Sequence, residues 1–409
     1  MRRILLGAVL LAALLPASAA AAPVVVLHGS QAVRGEDPFL PRADFAPVRS
    51  RRELRLRARA SAAAAAPRRR AAARPRRTPL SELGRLARAH AISPARYAAT
   101  RSAYLAALET ASRLRGTRRA ELGGAIAAVR LIAARGALTA SRVGPLLLTL
   151  RRNRQWWVAG PLLAPGERVE FADSGLVWEH YPGQGIQLQM LASFGRANAL
   201  WQGGYERSLL DELVPLAARR AGGLAWEEYF TFDGGAPPWA SSITQGTAVQ
   251  ALARGSRRLG STRYGRAARA GLALFDAAPP AGVRVRTRAG SHYLIYSFAP
   301  RVRVLNAFIQ ALVGLFDVAA IDPGSRAGAL FSAGDREARL EVPRYDTGSW
   351  SLYQPGVISS LSYHLLLRDF LHNLCVRTGT PVYCRTAERF TRYLAHPKAS
   401  ARRAPVRRR

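Results

Sequence analysis

Between Tyr345 and His364 the chain reads Y-D-T-G-S-W-S-L-Y-Q-P-G-V-I-S-S-L-S-Y-H, which sets three tyrosines, Asp346 and His364 among small turn residues. Phenols, a carboxyl and an imidazole are groups that hydrogen-bond a polar ligand and move protons. Asp346, Gly348 and Ser349 favour a tight turn in which the Asp346 side chain bonds the backbone two residues on. From Val357 the spacing of Ile358, Leu361, Leu365 and Leu366 predicts a helix over residues 357–377, with Tyr363 and His364 in its first two turns. The stretch reads as a binding-site loop feeding a helix. Glu179-His180-Tyr181 and Trp226-Glu227-Glu228-Tyr229 also place acids beside aromatics ahead of turns, where they either line the same cleft or face solvent.

The elements that must hold these residues are mostly helical. Apolar positions recur at three and four residues between 81 and 150, which predicts two or three amphipathic helices. Residues 155–179 change character and suggest a short hairpin. Beyond them, helices are expected at 187–202, 205–220, 242–259, 262–275, 303–319, 357–377 and 386–394, separated by Gly- or Pro-marked loops. Strand is expected only around 283–298. The pattern establishes a mainly α protein.

The 409 residues are 49% hydrophobic, enough for one large core or two modest ones. The N-terminal M-R-R, the apolar run Ile4 to Leu15 and the following small residues predict a signal peptide over 1–22, cleaved near Ala20 to Ala22, and a secreted protein. That run is shorter than the roughly 20 residues a membrane anchor needs. Residues 23–79 read as a disordered Arg/Ala/Pro-rich leader: from Arg49 to Arg77 there are twelve arginines against the single Glu53. A helical region with a hairpin is expected over 80–177, a second helical domain over 178–397 and a basic tail over 398–409. The formal charge of +35 is almost all arginine, Lys398 being the one lysine. This excess either grips acidic polymers and an anionic cell surface through paired donors or reflects a GC-rich genome. Nucleic acid is not an expected partner of an exported chain. Cys375 and Cys384 flank a T-G-T-P turn and are expected to form a disulfide. No clustered histidines accompany them, so no structural metal is expected, nor any cofactor.

Three blocks, in order and each at a helix start, resemble the C-terminal domain of the D-glucuronyl C5-epimerases, with the look of a divergent bacterial-type member. They are Pro238 to Leu252 (P-W-A-S-S-I-T-Q-G-T-A-V-Q-A-L), His292 to Asp317 (H-Y-L-I-Y-S-F-A-P-R-V-R-V-L-N-A-F and onward), and Tyr345 to His364. The resemblance implies an (α/α) toroid or incomplete barrel. It also implies inversion of C5 in a uronic acid residue of an acidic polysaccharide, a proton being removed beside a carboxylate and another returned on the opposite ring face. Tyr353, Tyr363 and Tyr296 match the family's catalytic tyrosines; such a phenol serves as a base if an Arg or a dipole lowers its pKa from about 10. Trp239, Gln245, Arg301, Asn306, Arg344, Asp346 and His364 are the implied sugar and carboxylate contacts, and a homodimer is the implied assembly. Ile295 stands where the family has Glu, and Gln354-Pro355-Gly356 stand where it has Asp-Leu-Arg. Arg301, Arg303 or Arg344 is the expected replacement for that lost cation. A uronate lyase and a non-catalytic glycan-binding relative are the alternatives, and a glycoside hydrolase is a weaker rival because no carboxylate pair stands out at the three blocks.

Overall fold

A computed structural model describes residues 21–41, 77–201 and 206–395. The expected signal peptide up to residue 20, most of the arginine-rich run and the basic tail lie outside them. Four helices fill residues 79–159: α1 (Pro79–Arg88), α2 (Pro94–Arg113), α3 (Gly116–Ala134) and α4 (Ala140–Ala159). Thr78 and Ser81 cap α1 reciprocally, and Ser93 caps α2 through the Arg96 N–H. Leu122, Ile126, Val129 and Ile132 recur along α3 and are buried in the same core as Val143, Leu146 and Leu150 of α4. The hairpin expected from residue 155 therefore begins later, because Trp156 and Trp157 complete the buried face of α4.

Next comes a five-stranded sheet of order β2-β1-β3-β4-β5, formed by β1 (Ala21–His28), β2 (Gln31–Pro41), β3 (Arg168–Phe171), β4 (Trp178–Tyr181) and β5 (Gly185–Leu188). This corrects the expectation of a disordered leader from residue 23. The Val24-Val25-Val26-Leu27 run turns at Gly29-Ser30 and pairs with β2, while its other edge pairs in parallel with β3. Val25 and Leu27 are buried by that docking, which supplies the apolar area an isolated hairpin lacks. Asp37 of β2 and Glu170 of β3 both ion-pair with the buried Arg196, tying the sheet to the helix that follows.

The second half alternates an inner row of helices with outer partners. α5 (Met190–Leu200), α7 (Ser242–Leu259), α9 (Leu305–Ile321) and α11 (Leu361–Thr378) pack one against the next. Each is followed by an outer helix packed beside it: α6 (Glu206–Leu213), α8 (Thr262–Gly271), α10 (Ala327–Glu341) and α12 (Pro381–Tyr393). This two-layer pairing is the part of the expected (α/α) toroid that the contacts carry. α7 and α9 meet at backbone distance: a Cβ on Gly314 would lie 2.2 Å from the Gly246 carbonyl oxygen, so neither glycine can be enlarged. α9 is apolar on nearly every side and buried at the centre. α10 was not expected; a short hairpin of β6 (Ala218–Arg220) and β7 (Gly223–Ala225) precedes α7, and the strands near 283–298 appear as β8 (Arg284–Arg286) and β9 (Ser291–Tyr293). Cys375 of α11 and Cys384 of α12 form the expected disulfide. One hydrophobic cluster runs from Val25 to Phe390.

Candidate functional site

The predicted helix from residue 357 starts later, because Val357–Ile358 form β11 against β10 (Leu352–Gln354), with Gln354-Pro355-Gly356 turning between them at Gly356 φ +79°. Ser360 then caps α11 by accepting from the Tyr363 N–H. These two devices aim Tyr353, on β10, and Tyr363, in the first turn of α11, at each other: their ring centroids are 4.7 Å apart. The loop after β9 brings in Tyr296, whose hydroxyl is in contact with that of Tyr353, which in turn contacts the Tyr363 hydroxyl. All three rings keep partial exposure.

Burial pushes each of these phenols up from its ordinary value, and their mutual charges add to the rise at Tyr296 and Tyr353. At Tyr363 the hydroxyl of Tyr353 opposes that rise and the charge of Glu179 adds to it. This is opposite to the expected lowering, and no arginine is among the groups acting on the three. One reason lies at Ile295, the position the resemblance gives to Glu. Ile295 packs with Tyr353 around Ile243, Val304 and Ala307, so an apolar cluster stands where an acid would have been. The tyrosines are neutral proton donors at neutral pH.

Aromatic rings wall the site. Trp239 lies edge-on to Tyr296 at 5.6 Å, Phe298 stacks on Tyr296 at 5.3 Å, and Phe232 lies 5.5 Å from it. The series continues through Phe230 to Tyr181, 4.3 Å apart. The Trp239 indole N–H donates to the Phe230 carbonyl, and its buried ring packs among Phe230, Phe232, Tyr296 and Phe298.

Tyr181 leads to a second group of titratable side chains, on the sheet. Side chains alternate along β4, so Glu179 and Tyr181 share one face while Trp178 and His180 take the other. The turn after β4 is held by Glu121 of α3, which accepts from Gly183 N–H (2.9 and 2.8 Å) and Gly185 N–H (2.9 Å), with His180 Nε2 at 3.4 Å. Burial would raise the Glu121 carboxyl, but these bonds outweigh it and hold it below its ordinary value. Arg168 of β3 stands opposite Glu179 across the ladder, on the same face. Glu179 bonds Tyr181, and the Tyr181 hydroxyl accepts from Gln189 Nε2 at 2.8 Å.

Glu228 approaches from the segment 226–232. Its backbone forms a two-bond bridge with Trp239, and its side chain bonds Thr244 in the first turn of α7. It is 5% exposed and its Oε2 has no partner among the described residues. Desolvation pushes Glu228 up to about 8, helped by the charge of Glu179, and burial pushes Glu179 up to about 7 against the opposing pull of Tyr181 and Arg168. Glu227 does something else: Arg142 and Arg220 pair with it, and its role is to lock α4 to this segment.

The remaining expected contacts separate by what their polar atoms already do. Gln245 donates to the Leu224 and Gly271 carbonyls and accepts from the Trp226 N–H, so it holds the core and has nothing left for a sugar. His364 is fully buried, stacked on Trp350 at 3.8 Å, with its ring nitrogens bonded to Ser351 and to the Phe390 carbonyl; burial lowers its pKa and keeps it neutral. Asp346 makes the expected turn through the Gly348 N–H at 2.8 Å and also binds Arg389 and Tyr393, so it fastens the loop to α12. Asn306 accepts from the Ala307 N–H. Arg301 and Arg344 are exposed, and Arg303 acts on Glu341, His292 and Tyr345. The cation beside an acid of this site is Arg168 of β3, where the expectation pointed to Arg301, Arg303 or Arg344. Its signal in sequence was faint: one Arg in an alternating R-V-E-F strand.

Residues 223–392 match the family model described as the D-glucuronyl C5-epimerase C-terminus. A D-glucuronyl C5-epimerase of Caenorhabditis elegans is 30% identical over 130 residues, which cover 29% of this chain and 21% of that protein. The match thus spans about a fifth of the relative's length. Tyr296, Tyr353, Tyr363 and the inner helices that present them all fall inside the matched stretch, and residues 223–392 belong to the D-glucuronyl C5-epimerase C-terminal family.

Proposed function

We propose that the protein is a C5-epimerase of uronic acid residues in an acidic polysaccharide, exported from the cytoplasm, with Tyr296, Tyr353 and Tyr363 as its proton-transfer cluster. The observation that supports this most is the convergence of three partly exposed phenols, from the loop after β9, from β10 and from the first turn of α11, beside Trp239, Phe232 and Phe298. An aromatic wall suits the faces of a sugar ring, and linked hydroxyls deliver protons in a fixed direction. In the reaction a base on one face takes the C5 proton as the C5–H bond breaks and its electron pair moves into the neighbouring carboxylate; the pair then returns to C5 and forms a new C5–H bond on the other face as a donor O–H breaks. No redox change occurs. Export is supported by the basic, then apolar, N-terminal sequence and fits a Cys375–Cys384 disulfide. The arginine-rich segments would hold the protein at an anionic surface.

The missing acid at Ile295 and the upward shift of the phenols favour a second reading, a relative that binds the glycan without turning it over. Incubation with uronate polymers, followed by NMR of C5 configuration and ultraviolet reading of unsaturated ends, separates the cases. Inverted residues without unsaturated ends support the epimerase. Unsaturated ends indicate a lyase, and binding without either product indicates the glycan-binding relative.

A further inference from the structure

The tyrosine cluster leaves a chemical gap. Taking a proton from carbon needs a group that is unprotonated before the reaction, and burial keeps the three phenols protonated. In the neighbouring structure the family's glutamate position is filled by Ile295.

We infer that Glu179 and Glu228, one from the sheet and one from the segment bridged to Trp239, form a buried carboxyl pair, one ionised and one protonated, of which Glu179 is the base of this site. The inference rests on the uronate reading above and adds to it which side chains take the proton. Four observations support it. Glu179 lies on the β4 face that also carries Tyr181, the start of the aromatic series leading to Tyr296. Its charge acts on Tyr363, so the sheet-borne acid lies within electrostatic reach of the helix-borne phenol. Glu228 is joined to Trp239, beside Tyr296, by two backbone bonds, and keeps a buried carboxyl oxygen with no partner among the described residues. The charge of Glu179 raises Glu228, so Glu228 holds its proton while Glu179 is ionised, and both act on Tyr181.

A sugar held between sheet and helices would present one ring face to Glu179 and the other to the phenols. The Glu179 carboxylate takes the C5 proton; its O–H forms as C5–H breaks. The charge arriving on the substrate carboxylate falls beside Arg168, opposite Glu179 on the ladder. A tyrosine hydroxyl then gives its proton to the other face, and the Glu179 proton returns to the phenolate to reset the site. Glu228 keeps its own proton through the cycle and so holds Glu179 as the ionised partner. The groups that share charge or hydrogen-bond effects with the pair are Arg168, Tyr181, Tyr229, Tyr363 and Thr244, with His180 acting from the other face of β4.

The test uses the full mature chain, with Glu179→Gln and Glu228→Gln as near-isosteric variants. First, carboxyl titration is followed by NMR with side-chain 13C-labelled glutamate. Two signals titrating near neutrality, one lost in each variant, with the Glu228 signal moving to lower pH in Glu179→Gln, are expected; carboxyls that all titrate below about pH 5.5 overturn the pair. Second, C5 deuterium exchange is measured on glucuronate-containing polymer. Glu179→Gln is expected to lose roughly 10²–10⁴-fold and the rising limb near pH 7. Full exchange in Glu179→Gln overturns the pair and leaves the tyrosine reading standing. If the wild type exchanges nothing, the epimerase reading fails, and the titration alone then decides whether the pair exists.

Discussion

Replacing Glu228 by Gln should make this protein more stable at high pH relative to wild type, and the size of the effect follows from burial. Glu228 is 5% exposed, with one oxygen unpartnered, and is pushed from an ordinary 4.5 up to about 8. Below pH 4.5 it is protonated in both folded and unfolded chains and adds no pH dependence. As pH rises toward 8 the unfolded chain ionises while the fold keeps the proton, so wild-type stability falls. A gap of about 3.5 pH units at about 1.4 kcal/mol each gives an upper bound of about 5 kcal/mol. Glu179 shares the same burial and charge, which leaves about 2–4 kcal/mol to Glu228 itself. Gln does not titrate, so the variant escapes this fall. Urea denaturation of both proteins at pH 5 and pH 8, at one ionic strength, should show the difference moving about 2–4 kcal/mol in the variant's favour. A difference that stays constant within about 0.5 kcal/mol would mean that Glu228 is ionised in the fold, and the argument from its burial would be wrong.

Other perturbations follow from the same contacts. Tyr353→Phe removes the hydroxyl that links the other two, and should cost at least about 100-fold in epimerisation while changing stability by only about 1 kcal/mol, read by turnover and thermal melting. Asp346→Ala strips partners from Arg389, Tyr393 and the Gly348 N–H, and should destabilise by about 2–3 kcal/mol in denaturant; an unchanged midpoint would remove its role as the loop's anchor. Cys384→Ser opens a loop of sequence separation 9 and should cost about 2–3 kcal/mol on the chain-entropy estimate, measured against the oxidised wild type.

The inner helices were legible because their apolar spacing is strong: α7 runs over the same 242–259 in sequence pattern and in structure. The tyrosines were found through motif order and turn chemistry, since Asp346, Gly348 and Ser360 fix the loop and cap by short-range bonds. What sequence could not give was orientation. His364 and Gln245 sit in the matched blocks yet spend their polar atoms inside the core, a choice made by Trp350, Phe390 and the Gly271 carbonyl from elsewhere in the chain. The hairpin of β1 and β2 was hidden because its stability comes from β3, more than a hundred residues on. Glu179 and Glu228 were visible as acids beside aromatics, but only their shared burial marks them out from Glu227, whose two arginines make it structural.

The central claim is that this site exchanges the C5 proton of a uronate between two sides. The direct measurement is early-time incubation of the full mature chain with glucuronate-containing polymer in D2O, with deuterium at C5 assigned by NMR to inverted and uninverted residues. The account predicts deuterium concentrated in inverted residues, lost in Tyr353→Phe and in Glu179→Gln. Absence of deuterium from every residue of polymers that nonetheless bind would contradict it.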